Sequence, residues 1–192
     1  MWKLTNLQHL DIAGTGIKKM PEQLGSLKCL NTLTKFMVGE GSGSSIRELG
    51  KLKSLQGTLS ISQLQNVVPP KDAMNAGLKD KKYLEKLALE WDAKTLRPKS
   101  ERIVLESLRP HTSLKRLTIK GFGGGIFPDW VGHQFASLHL WEYKNISSLP
   151  PFDQLCSLKE LSIVGLMELL QWVVSFVAIV VLVLLRFSHL EA

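Results

Sequence analysis

The stretch LTNLQHLDI, residues 4–12, carries apolar side chains at Leu4, Leu7, Leu10 and Ile12. Its last two lie two residues apart, and that step decides the fold. In a strand, side chains alternate between faces, so residues i and i+2 share one face and the residue between them takes the other. Leu10-x-Ile12 therefore reads as a short strand with one apolar face. The pair returns, with varying strictness, at Phe36/Val38, Leu59/Ile61, Leu87/Leu89, Leu117/Ile119, Leu138/Leu140 and Leu161/Ile163. Successive first members lie 21 to 30 residues apart.

Those intervals cluster on the leucine-rich period of about 20 to 29 residues, with one slightly longer. A lone Leu-x-Leu strand cannot cover its apolar face, whereas stacked copies share one continuous core. Each fully buried leucine contributes about 1.5–3 kcal/mol, and ordering the chain costs a comparable total, so several copies must stack. The expected fold is an α/β repeat: a leucine-rich-repeat solenoid with a parallel concave β-sheet and an irregular or short-helical convex side. About seven repeats should fill residues 1–165, followed by a hydrophobic helix over 166–186 and a short tail, 187–192. On the convex side, Pro21 and Pro150–Pro151 disfavour regular helix. Around residues 72 to 87, Ala73, Ala76 and Leu78 permit a short helix leading into the strand at Leu87.

The formal charge of +7 comes from 24 Lys and Arg against 17 Asp and Glu. An excess of that size suits an acidic protein, an anionic membrane surface or nucleic acid. No run of five or six basic residues occurs, and the densest cluster, Lys79, Lys81 and Lys82, reads as solvated surface, so nucleic acid is not favoured. Cys29 and Cys156 form no CxxC and have no histidine at zinc spacing. Met1-Trp2-Lys3-Leu4 opens without a secretory apolar core, which points to a cytoplasmic protein. Residues 169–185, LLQWVVSFVAIVVLVLL, carry no charge, with Trp172 near one end and Arg186 just past the other. They read as a transmembrane or tail-anchoring helix, as readthrough sequence never selected for folding, or as an apolar cap on the last repeat.

The glycine-rich GEGSGSS, residues 39–45, lacks the Lys-Ser/Thr of a phosphate cradle and reads as a loop between repeats. GFGGG, residues 121–125, reads as a turn leaving the strand at Leu117–Ile119. Asn145-Ile146-Ser147 is a glycosylation sequon that matters only on a luminal or extracellular face. The histidines, His111 beside Pro110 included, have no nucleophile or carboxylate at a telling spacing. The chain is read as a non-enzyme with no cofactor and no metal.

Function should lie on the side chains that alternation turns away from the core. Along the concave face these are His9 and Asp11, Lys35 and Met37, Lys86 and Glu90, Arg116 and Lys120, His139 and Trp141, and Glu160. Rigid solenoids bind partners on such faces because many side chains stand at fixed spacing. Arg and Trp are the types enriched at interface hot spots.

Several longer phrases resemble the leucine-rich-repeat region of plant coiled-coil NLR disease-resistance proteins. They are LTNLQHLDIAGTGIKKMPEQLGSLKCLNTL, DAMNAGLKDKKYLEKLALEW, ESLRPHTSLKRLTIKGFGGGIFPDWV and SSLPPFDQLCSLKELSIVG. The likeness extends over roughly residues 2 to 165. No GxxxxGK[ST] occurs, so the family's nucleotide-binding (NB-ARC) module is missing and the chain looks truncated. The resemblance implies a protein-binding module of plant defence whose partner is a pathogen effector or the NB-ARC module of a related receptor. A membrane-anchored receptor-like protein and a non-functional truncated gene product are the alternatives.

Overall fold

The computed structural model describes residues 4–41, 43–92, 97–132, 135–142, 150 and 157–164. Two parallel sheets run along the chain in strict sequence order. Strands β1 (His9–Leu10) and β2 (Thr32–Leu33) form the first. Strands β3 (Lys35–Met37), β4 (Gln56–Ser62), β5 (Tyr83–Glu90), β6 (Arg116–Lys120), β7 (Ser137–Trp141) and β8 (Glu160–Val164) form the second. Parallel neighbours require a crossover between each pair. Among the described residues the crossovers are mostly 3₁₀ turns, with a single helical turn α1 (Arg47–Gly50) and one longer helix, α2 (Pro98–Ser107). This is the expected leucine-rich-repeat architecture.

Register turns the Leu-x-Leu pairs into columns. Leu59, Leu87, Leu117, Leu138 and Leu161 stand side by side, as do Ile61, Leu89, Ile119, Leu140 and Ile163. From β4 to β7 every member of both columns is at most 1% exposed. Leu30, Leu55, Leu84 and Leu114 are buried as well, at the approach to each strand. The column opens at β8, where Leu161 is 37% exposed although it stays in register with Leu138. Among the described residues β8 has a strand on one side only.

The first repeats depart from the expected pair. Leu33 and Phe36 are both buried, three residues apart, so one extra residue sits between the inward positions. That insertion separates β2 from β3 and splits the array into two sheets. It also bears on Met37, expected on the concave face: Met37 is 4% exposed and belongs to the core. As the last residue of β3 it lies where the chain turns off the sheet into the loop closed by Gly39 N–H on Ser44 O, and alternation no longer sets its facing.

Between residues 70 and 80 two 3₁₀ turns, Pro70–Ala76 and Leu78–Asp80, replace the expected helix. Gly77 divides them at φ 61, a left-handed conformation that ends a helical run. A second correction concerns charge: Lys81, read as solvated, is 3% exposed. Its Nζ donates to Leu49 O at 2.8 Å and Leu52 O at 2.7 Å. GFGGG is a turn after β6, as expected, and packs against α2. In GEGSGSS, Gly39 and Gly43 give their N–H groups to Ser44 O and Glu40 O, so the loop bonds to itself. The stretch 166–186 and the Asn145 sequon lie outside the described residues. Among the described residues no helix is long and apolar enough to cross a membrane.

Candidate functional site

The same register that stacks the leucines lays their neighbours out as a grid on the opposite face of the sheet. One row, at the start of the strands, runs Thr58, Lys86, Arg116, Ser137, Glu160. A middle row runs Lys35, Ser60, Ala88, Thr118, His139, Ser162. At the strand ends stand Glu90, Lys120, Trp141 and Val164. Adjacent strands are about 4.8 Å apart and rows two residues apart about 6.6 Å, so the grid has fixed pitch.

Of the expected residues, Arg116, His139 and Glu160 converge. Arg116 donates from Nε to Ser137 Oγ at 3.2 Å and from Nη2 to Glu160 Oε2 at 3.2 Å. Ser137 Oγ donates to the same carboxylate oxygen, and His139 Nε2 lies 3.4 Å from it. The bond from Ser137 and the close approach of His139, with the charge of Arg116 adding to them, hold the Glu160 carboxyl below its ordinary value, and burial opposes them. Trp141 follows, its ring centroid 6.3 Å from that of His139 and its surface 39% exposed. Lys120 reaches Glu142 at 3.3 Å, and Glu90 accepts from Ser60 Oγ at 3.0 Å.

The N-terminal candidates do not join this cluster. His9 bonds Thr32 across β1 and β2 at 3.0 Å, and Lys35 sits half-buried on β3. Asp11 accepts from Ala13 N–H at 2.9 Å and Thr34 Oγ1 at 2.8 Å, which together lower its carboxyl pKa. Those bonds make Asp11 a fastener between the first two repeats as much as a surface charge. Met37, being buried, is not on the face.

Three charged residues missed by alternation complete the site. Glu85, Lys115 and Lys159 join Lys86, Arg116, Ala136, Ser137 and Glu160 around a shallow depression of about 340 Å³. Each lies between an inward leucine and the next one three residues on, as in Leu84-Glu85-Lys86-Leu87 and Leu114-Lys115-Arg116-Leu117. Two residues must bridge that step, and both face water. The Leu-x-x-Leu spacing that leads into each strand was the available signal. Among the described residues no group of three or more His, Cys, Asp or Glu could hold a metal.

The arrangement sets charged and aromatic side chains at fixed spacing on a sheet carried by repeats. A family model for R13L1/DRL21 leucine-rich repeats matches residues 46–166, more than half of the sequence. The chain belongs to the R13L1/DRL21 leucine-rich-repeat family. That match covers β4 to β8, the strands that build the grid. Relatives in plants carry the same repeats. Disease resistance protein RGA2 of Solanum bulbocastanum is 39% identical over 145 residues, 72% of this chain and 15% of that protein. RGA4 of the same plant is 38% identical over 161 residues, 81% of this chain and 16% of the relative. Disease resistance RPP13-like protein 1 of Arabidopsis thaliana is 39% identical over 149 residues, 71% of this chain and 14% of the relative. This R13L1/DRL21 chain is thus similar to the leucine-rich-repeat region of plant NLR disease-resistance proteins, as its sequence implied, and spans a small part of their length.

Proposed function

We propose that the chain is a protein-binding module of plant defence that engages its partner through the grid on β5 to β8. The observation that carries this is the register itself. Four parallel strands hold Lys86, Arg116, His139, Trp141 and Glu160 at fixed spacing on one open face, while the leucines behind β5 to β7 are buried. A rigid, charged and aromatic face has the composition of a recognition surface. The nature of the relatives supports a defence role, with a pathogen effector or the nucleotide-binding module of a related receptor as the partner. The reading is of a binder, not a catalyst.

Capture of a related nucleotide-binding module, and of candidate effectors, by the full chain tests this against two variants. Arg116→Glu changes the face: it should weaken capture at least about tenfold while shifting stability by no more than about 1 kcal/mol, the range of an exposed pair. Leu117→Asp, one residue on and 0% exposed, buries an unpaired charge and should unfold the array. Capture by neither class of partner, or equal thermal destabilisation by both variants, would count against the proposal.

A further inference from the structure

The grid has two chemically different ends, and together they specify an occupant. We propose that the face of β5 to β8 takes an extended acidic segment of a partner protein. Its carboxylates seat at Lys86 and Lys159, and an apolar side chain about four residues along packs on Trp141 and Val164. This rests on reading the face as protein-binding and adds the chemistry of what binds.

The charge argument starts from pairing within the depression. It holds four cations and two carboxylates. Lys115 pairs with Glu85 at 2.8 Å and Arg116 with Glu160 at 3.2 Å. Lys86 and Lys159 are exposed and make no ion pair among the described residues. Two ammonium groups without a direct ion pair therefore remain at one end of the strands, Lys86 feeling only the neighbouring charge of Glu85. Each is worth little to an isolated charge in water, but a docked segment excludes solvent and places carboxylates against both.

At the other end, Trp141 and Val164 stand opposite each other in register on β7 and β8, 39% and 55% exposed. An exposed tryptophan beside an exposed valine is an anchor for an apolar side chain. Ser137 and Trp141 are four residues apart on one strand, about 13 Å at 3.3 Å per residue. A segment extended along the strands covers that span in the same four residues, and its positions i and i+4 point to the same side. Nucleic acid fits less well. A duplex carries one charge about every 1.7 Å of axis, and its backbone would press phosphates against Glu160, Glu142 and Glu90.

Fluorescence anisotropy with the full chain tests the proposal. The probe is a labelled peptide, Gly-Glu-Asp-Ser-Gly-Ser-Leu-Gly, in which Asp and Leu are four residues apart. Comparison peptides replace both acids by Lys, or Leu by Ser, and labelled oligothymidine is the third arm. The acidic peptide should bind, and added salt should weaken it. Lys86→Glu with Lys159→Glu should cost about tenfold or more in affinity, and Trp141→Ser a similar factor, with unchanged thermal melts in both. Lys86→Arg with Lys159→Arg should restore binding, since it keeps the charges. Binding of the Lys peptide as tightly as the acidic one, indifference to the double charge reversal, or a preference for oligothymidine would overturn the proposal. If the peptide fails to bind while protein capture still depends on Arg116, the inference falls and the broader binding function stands. If capture is also indifferent to Arg116→Glu, both fall.

Discussion

Lys81 shows how one residue can break the pattern and still be held by it. Leu27 precedes Leu30 by three residues and Leu52 precedes Leu55 by three; Lys81 precedes Leu84 by the same interval and so stands in a leucine's place. Its stem is buried as the leucines are, and its nitrogen reaches two main-chain carbonyls at the end of the α1 segment. An ammonium has three protons to donate and a neutral amine two, which matches those two acceptors. Burial pulls the Lys81 pKa from 10.5 down to about 8, with Asp80 opposing. The folded-state value lies below the unfolded one, so between about pH 8 and 10.5 the unfolded chain binds the proton that the folded chain has released. Stability should then rise with pH across that window, by no more than about 3 kcal/mol. The two carbonyls favour the charged form and reduce the gain. Denaturant midpoints from pH 7.5 to 10.5 check this against Lys81→Met, which should flatten the rise. The same slope in both proteins would show that other groups cause it.

At the scale of elements, α2 is the part the repeat pattern did not foretell. It occupies the longest interval between strands, and its apolar residues Ile103, Val104 and Leu105 are consecutive, so no single face announces a helix. Pro98 suits the first helical turn, and Val104, Leu105 and Leu108 turn into the core while Ile103 stays 37% exposed. The buried carboxylate of Glu101, 1% exposed, ties the start of α2 to the glycine turn after β6. Its Oε2 accepts from Gly123 N–H at 2.7 Å and its Oε1 from Arg97 N–H at 3.3 Å. The turn is close-packed: a Cβ on Gly124 would meet the Phe122 ring at 2.3 Å. Glu101→Ala should therefore cost about 1–3 kcal/mol and speed amide exchange at Gly123, with Glu101→Gln losing less because an acceptor remains. Unchanged exchange at Gly123 would remove this role. The strands from β4 onward were legible because a period of two repeated at a near-constant interval leaves one register. The insertion between Leu33 and Phe36 was not, since Phe36 and Val38 also satisfy the pair and only packing shows that Leu33 takes the inward place. On the site, the outward facing of Arg116, His139 and Glu160 followed from alternation. Lys115 and Lys159 belong to the step before it, where two residues in succession face outward.

Over the whole molecule the array behaves as a one-dimensional stack, in which each repeat is stabilised by its immediate neighbours. Burial along the first leucine column expresses this directly: Leu59, Leu87, Leu117 and Leu138 are at most 1% exposed, and Leu161, with a strand on one side only among the described residues, is 37% exposed. The same substitution should therefore have different consequences along a single column. Leu117→Ala removes a fully packed side chain and should cost about 2–5 kcal/mol. Leu161→Ala removes one that already meets water over 37% of its surface, and should cost clearly less. Urea midpoints and slopes for the two variants measure the difference, and the slope adds information: a lesion at Leu117 lies in the middle of the stack and should lower the cooperativity of unfolding, whereas one at Leu161 should leave it intact. The contrast reaches function, because Leu161 is flanked by Glu160 and Ser162 and Leu117 by Arg116 and Thr118. Among the described residues Glu160 stands on the outermost strand of the sheet and Arg116 two strands further in. Loosening β8 through Leu161→Ala should then weaken partner capture with little loss of overall stability. Equal losses of stability at the two leucines would sink the nearest-neighbour account, and with it the expectation that the Glu160 side of the grid yields first.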